Sequence, residues 1–189
     1  MSSDHTTIKP LAGPLKGTTS VPGDKSISHR AVLFSAMAEG TSKVSGVLDS
    51  QDVRSSIDAV TALGAKVKLK EAKDGSLKGS ITGWGEKGPK QPKHEIDCGN
   101  SGTTARLLMG VLAPWPIEVT LTGDESLKRR PMRRNTAPLM KMGVKFHPSE
   151  ADHLPITEVG TPNLKAITYD APMASAQLKT AVLIAGVYA

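Results

Sequence analysis

The sequence predicts an α/β (α+β) fold built from repeated modules, on three observations. Stretches with apolar residues at helical spacing alternate with short segments of alternating polarity. One helix-to-strand joint occurs twice, as Leu63-Gly64-Ala65-Lys66-Val67 and Met142-Gly143-Val144-Lys145-Phe146, 79 residues apart. A small-residue loop also opens a helix three times, with a base four residues on: Ser26 to Arg30, Gly102 to Arg106 and Ser175 to Lys179. The three bases stand 76 and 73 residues apart.

Residues 1–20 are polar, with scattered Pro and Gly, and read as an arm or an edge strand. The first module (about 21–83) opens with a helix from Ser26 to Ala38, stopped by Gly40. A strand at 43–48 follows. Asp49 or Ser50 then caps a helix carrying Val53, Ile57, Val60 and Leu63. Residues 65–69 alternate as a strand, 73–76 turn, and 77–81 pair back. Residues 83–93, rich in Gly, Pro and Lys, read as a surface loop.

The second module (about 94–160) repeats the order. It predicts a helix at 103–112, a strand at 117–121, a helix at 131–142 opened by Pro131, and strands at 144–146 and 154–159. A third unit (166–189) starts with a strand at 166–169 and a helix at 175–187. That helix is apolar almost all round, as a fully buried one would be. A repeat that stops there leaves an apolar face uncovered, so the sequence reads as part of a longer protein.

Lys plus Arg outnumber Asp plus Glu by 24 to 18, a balance that fits anionic partners. Aromatic residues are only 3% and scattered, so no base-stacking platform is present and nucleic acid is disfavoured. No apolar run is long enough for a membrane span, and none at the start resembles a signal peptide. The single cysteine, Cys98, suits a reducing compartment, so a cytoplasmic location is expected. The histidines lack ligand spacing, so no metal site is expected. Trp84 and Trp115 read as packing or loop residues. Helix N-termini offer unpaired N–H groups and the positive end of a dipole. Three of them converging, each with a hydroxyl and a base, would hold a small, multiply charged anion.

Several stretches are also recognisable. Pro22-Gly23-Asp24-Lys25-Ser26-Ile27-Ser28-His29-Arg30 and Gly99-Asn100-Ser101-Gly102-Thr103-Thr104-Ala105-Arg106 resemble the two signatures of the 5-enolpyruvylshikimate-3-phosphate (EPSP) synthase family. Leu48–Arg54, Leu121-Thr122-Gly123-Asp124, Arg130-Pro131-Met132 and Ser175-Ala176-Gln177-Leu178-Lys179 match further family segments, in order. The resemblance spans about residues 8–189 and less than half of a typical member. It implies transfer of the enolpyruvyl group of phosphoenolpyruvate (PEP) to shikimate 3-phosphate, without metal or organic cofactor. It implies a fold of two domains, each of three βαβαββ units. Residues 21–189 would then be most of one domain, its third repeat incomplete, and 1–20 an arm of the other.

By the same resemblance, Lys25 lies between both substrates and is catalytic. Ser26, Arg30, Ser175 and Ala176 hold shikimate 3-phosphate. Asn100 and Gly102 line the PEP pocket, and Arg130 pairs with a PEP anion. Thr103 and Gln177 reach both substrates. Arg106 and Lys179 either serve the site or tie repeats together. The Ser-Ala-Gln-Leu-Lys form resembles the glyphosate-tolerant class, whereas Gly102 does not. The acid–base groups would lie in the other domain, so the isolated chain is expected to be inactive and to need the C-terminal portion or to self-associate. A non-catalytic anion-binding domain, or a split-enzyme half needing a partner chain, stands as the alternative. A UDP-sugar enolpyruvyl transferase is disfavoured, because that family pairs lysine with asparagine where Lys25-Ser26 stand here.

Overall fold

A computed structural model of the chain describes residues 6–10, 13–148 and 152–189. In the first module α1 (Lys25–Met37), β1 (Thr41–Val47), α2 (Gln51–Ala62), β2 (Lys66–Glu71) and β3 (Leu77–Thr82) follow in order. The second runs β4 (Ile96–Asp97), α3 (Gly102–Leu112), β5 (Glu118–Thr122), a short α4 (Glu125–Lys128), α5 (Arg133–Lys141), β6 (Lys145–His147) and β7 (Ile156–Val159). The sheet orders are β1-β3-β2 and β4-β5-β7-β6. Taking β4 away leaves β5-β7-β6, the order of the first sheet. In both modules the last strand is antiparallel to the two before it, while β4 runs parallel to β5. The β4-α3-β5 connection is therefore a βαβ crossover, with its helix on one face of the sheet.

Local chemistry explains the joints. Gly64 and Gly143 both sit at left-handed φ, +100° and +106°, and each ends its helix where a side chain would be strained. A second duplication is invisible in sequence. An added Cβ on Gly83 would overlap carbonyl oxygens of Ser35, Ala36 and Ala38; on Gly160 it would overlap those of Leu112, Ala113 and Trp115. Each module thus seats its exit glycine on the C-terminal end of its own first helix.

One core runs through both modules. α3 is its centre, with Leu107, Leu108, Met109, Val111 and Leu112 essentially inaccessible. α6 (Ala176–Gly186) packs along α3, and their backbones meet so closely that a Cβ on Gly110 would overlap the Ala181 carbonyl.

Several expectations need correction. Among the described residues, 6–10 and 13–20 form no edge strand; Leu11, Ala12 and residues 1–5 lie outside the description. Residues 166–169 form no strand, because neither sheet extends to pair with them. α6 is buried on one face only: Leu178, Ala181, Ile184 and Ala185 are covered, while Leu183 is 70% and Val187 76% exposed. Pro131 does not open α5; the chain first makes α4, and Met132 takes the N-cap position. Residues 83–93 are not all surface, since Trp84, Gly85, Gly88 and Pro89 are buried. Trp84 is buried packing, and Trp115 packs edge-on against Tyr188 at 5.6 Å.

Candidate active site

Short polar side chains open α1, α3 and α6. Asp24 accepts from the Ile27 N–H at 2.7 Å, Ser101 from Thr104 at 3.1 Å and Ser175 from Leu178 at 3.3 Å. Each cap satisfies one first-turn N–H, the Gly102 N–H of α3 donates to the Asn100 carbonyl at 3.1 Å, and the helix dipole makes each end attractive to anions.

At the start of α1, Lys25 Nζ donates to Asp52 Oδ2 at 2.9 Å. The two side chains are 53% and 28% exposed, so solvent screens the pair and an anion can replace Asp52 as Lys25's partner. Ser26 is exposed beside it. Arg30 donates to the Ser26 carbonyl at 3.0 Å and to Thr180 Oγ1 at 2.6 Å, tying α1 to α6.

At the start of α3, Gly102 is buried without a side chain. A Cβ there would lie 2.6 Å from Arg106 Nη1 and 3.4 Å from Arg130 Nη1. Two guanidinium groups therefore flank bare backbone at a helix N-terminus. Arg106, only 6% exposed, donates to Gln177 Oε1 and to the Pro131 carbonyl, both at 3.1 Å. Gln177 Nε2 in turn donates to Thr103 Oγ1 at 2.8 Å. Arg130 donates to the Asn100 carbonyl at 3.2 Å, to Asn100 Oδ1 at 2.5 Å and to Ser126 Oγ at 3.3 Å. Asn100 Nδ2 donates to Asp124 Oδ2 at 2.6 Å. Burial first, then Arg134 and Arg130, pulls the Arg106 pKa below its ordinary value, a sign of how positive this corner is.

The structure thus joins Thr103, Gln177 and Arg106 directly. It sets Asn100, Gly102 and Arg130 beside them, and it starts α6 here with Ser175 and the exposed Ala176. Lys25 and Arg30 connect through Asp52 and Thr180. Lys179 is not part of this group: it is exposed and lines an apolar groove with Tyr169 and Val182. The four-residue offset brings two bases to the site and sends the third elsewhere. Sequence reasoning also missed Asp52, Asp124 and Ser126 as partners of the cationic residues. Asp52 and Asp124 stood in the recognised segments, but pairings across 27 and 24 residues leave no local signal. Cys98, adjoining this corner, is fully buried, and burial, with a smaller contribution from Asp97, pushes its thiol up to about 12. Among the described residues no three His, Cys, Asp or Glu side chains gather as a metal site would require. Nor is any described helix long and apolar enough to cross a membrane.

Residues 11–189 match the family described as EPSP synthase (3-phosphoshikimate 1-carboxyvinyltransferase). The chain belongs to the EPSP synthase family. A 3-phosphoshikimate 1-carboxyvinyltransferase of Parvibaculum lavamentivorans is 46% identical over 188 residues, covering 100% of this chain and 41% of the relative. One from Halorhodospira halophila is 45% identical over 191 residues, with the same coverage. The EPSP synthase structure from Acinetobacter baumannii superposes with a TM-score of 0.82 at 40% identity, over 92% of this chain and 38% of that one. The fold is accordingly that of one domain of the enolpyruvyl transferases, and the chain spans about 41% of the length of these EPSP synthases.

Proposed function

We propose that this chain supplies the shikimate 3-phosphate-binding portion of an enzyme that transfers the enolpyruvyl group from PEP to shikimate 3-phosphate. Residues 21–189 form that domain, and 1–20 are an arm belonging to the other. The 5-hydroxyl oxygen bonds to C2 of PEP, and the bond from that carbon to the phosphate oxygen breaks. Both substrates are anions that repel one another, and the reacting carbon gains cationic character. A site for them must neutralise phosphate and carboxylate at fixed positions and supply a proton donor and acceptor.

The carrying observation is the corner at Gly102, where two guanidinium groups meet a bare helix N-terminus and Gln177 bridges α6 to α3. Arg130 offers PEP a planar, bidentate contact, held in place by Asn100. Lys25 leaves Asp52 to sit between the substrates. Ser26, Arg30, Thr103, Ser175, Ala176 and Gln177 hold shikimate 3-phosphate on helix ends that favour phosphate. The acid–base groups belong to the remainder of the enzyme, so this chain alone does not turn over. The exposed Phe34, Leu183 and Val187 give it an apolar face for that remainder or for a second copy. The compartment is the cytoplasm, in keeping with a single buried cysteine.

The test is to add the missing C-terminal portion of a close relative and follow phosphate release with each substrate varied. Turnover should appear only in the mixture. Arg130→Ala should then raise the KM for PEP about ten- to a hundredfold, the cost of one charge-assisted contact, and leave that for shikimate 3-phosphate nearly unchanged. Equal effects on both substrates would contradict the assignment.

A further inference from the structure

α1, α2 and α3 are tied by two rungs of hydrogen bonds. The outer rung is Lys25–Asp52. The inner rung lies one turn further along both helices, with His29 Nδ1 and Ser56 Oγ 2.8 Å apart. Both rungs reach Thr104 on α3. Its hydroxyl lies 2.8 Å from Ser56 Oγ, and it donates toward the Asp52 carbonyl at 3.3 Å and the Ser101 hydroxyl at 2.8 Å. Ser101 is the cap of α3.

The two rungs differ in character. Lys25 is a long, half-exposed side chain in water. His29, Ser56, Thr104 and Ser101 are all inaccessible, so no solvent competes for their bonds. The His29 end of the inner chain sets its direction. The Asp52 carbonyl can only accept, and Ser101 Oγ already accepts the Thr104 N–H. His29 Nε2 has no partner, and with Nδ1 as acceptor it would carry a buried N–H that nothing meets. The favoured direction therefore has Nδ1–H donating to Ser56, Ser56 to Thr104, and Thr104 to the Asp52 carbonyl or Ser101. Nε2 is then a bare lone pair with no partner. Burial chiefly holds the ring neutral, with Lys25 and Arg30 adding to it and Asp52 opposing.

We propose that the His29–Ser56–Thr104 chain is a positioning device. It sets the first turn of α1, with Lys25 and Ser26, against the first turn of α3, with Gly102 and Thr103. This rests on the reading of those turns as the substrate contacts. A substrate that takes Lys25 from Asp52 removes the outer rung at the moment register matters. The inner rung, short, dry and untouched by substrate, keeps the two turns aligned.

Three substitutions test it in this chain. His29→Leu removes the donor, Thr104→Val removes the hydroxyl, and His29→Asn places an amide N–H near Nδ1. Amide hydrogen exchange at Thr104 and Ala105 reports the first turn of α3 without any ligand. Titration with shikimate 3-phosphate reports the site. His29→Leu and Thr104→Val should each speed exchange about tenfold and weaken binding about three- to thirtyfold. The double variant should be within about twofold of the worse single one, since both cut one chain. His29→Asn should restore both readouts. Unchanged exchange in a single variant, additive losses in the double, or no rescue by asparagine would overturn the proposal. A folded wild type that does not bind shikimate 3-phosphate would overturn the substrate reading instead, and exchange would then decide the chain by itself. If His29→Leu does not fold, Thr104→Val and His29→Asn carry the comparison.

Discussion

A hydrogen atom at Gly102 is what lets Arg106 and Arg130 converge. An added methyl group would sit 2.6 Å from Arg106 Nη1. That guanidinium cannot swing aside freely, because it is buried and bonded to Gln177 and Pro131. Gly102→Ala should therefore act through displaced guanidinium groups. Glyphosate and PEP, both small anions, should each bind more weakly to the completed enzyme, the herbicide more so. Inhibition constants that do not move with the substitution would refute this account. Cys98 gives a second check at this scale. With a buried thiol of pKa about 12, it should resist a thiol reagent in the native protein and react at once in denaturant. The cap Ser50 and the helix starts near Ser26, Thr103 and Ser175 were legible in the sequence because small-residue loops and caps are local chemistry. The Arg106–Gln177 and Lys25–Asp52 bonds were not, because each joins residues brought together only by helix packing.

Helices α3 and α6 approach so closely because Gly110 faces Ala181. Gly110→Val should force them apart, cost about 1–3 kcal/mol, and loosen the Gln177–Thr103 bond that rides on their register. Chemical denaturation measures the first effect and anion titration the second. Strand β7 carries an odder residue. Glu158 lies in register with Val119 on β5 and Phe146 on β6, 1% exposed, with neither carboxyl oxygen partnered. Burial raises its pKa well above 4.5, so the native state keeps a proton that the unfolded chain loses, and stability falls as pH rises above that value. His29 works the other way. Its pKa falls from 6.5 to about 4, so stability falls as pH drops through that window. Glu158→Met should raise Tm by several degrees, given about 1–3 kcal/mol for an unpaired buried polar group, and the gain should grow with pH. His29→Asn should flatten the acid limb. Calorimetric melts across pH 4 to 9 would show both, and a Glu158→Met gain that shrinks with pH would contradict the assignment. The alternation of β2 and the Leu63-Gly64 joint announced these elements in sequence. Burial of an acid on an inward position of β7 broke the pattern, and the one-sided exposure of α6 depends on neighbours that no periodicity encodes.

At the scale of the molecule, two modules share a sheet order and seat their exit glycines alike, and α6 bridges their first helices through Thr180 and Gln177. The duplication was legible from the repeated joint and the spaced bases. What covers the outer side of α1 and α6 was not. There Phe34, Leu183 and Val187 leave an open apolar groove of about 390 Å³ beside Arg30. A chain with such a face should associate with itself at high concentration or be stabilised by the rest of the enzyme, which sedimentation with and without that portion would reveal. The central proposal is narrower: the starts of α1, α3 and α6, with Lys25, Arg30, Arg106 and Arg130, form a shikimate 3-phosphate site, and catalysis needs groups outside this chain. Titration calorimetry of the isolated, folded chain with shikimate 3-phosphate, run beside a phosphate-release assay with both substrates, tests it most directly. Weak, saturable binding with no phosphate released is the expected result. Turnover by the chain alone, or a folded chain that binds no shikimate 3-phosphate, would contradict it.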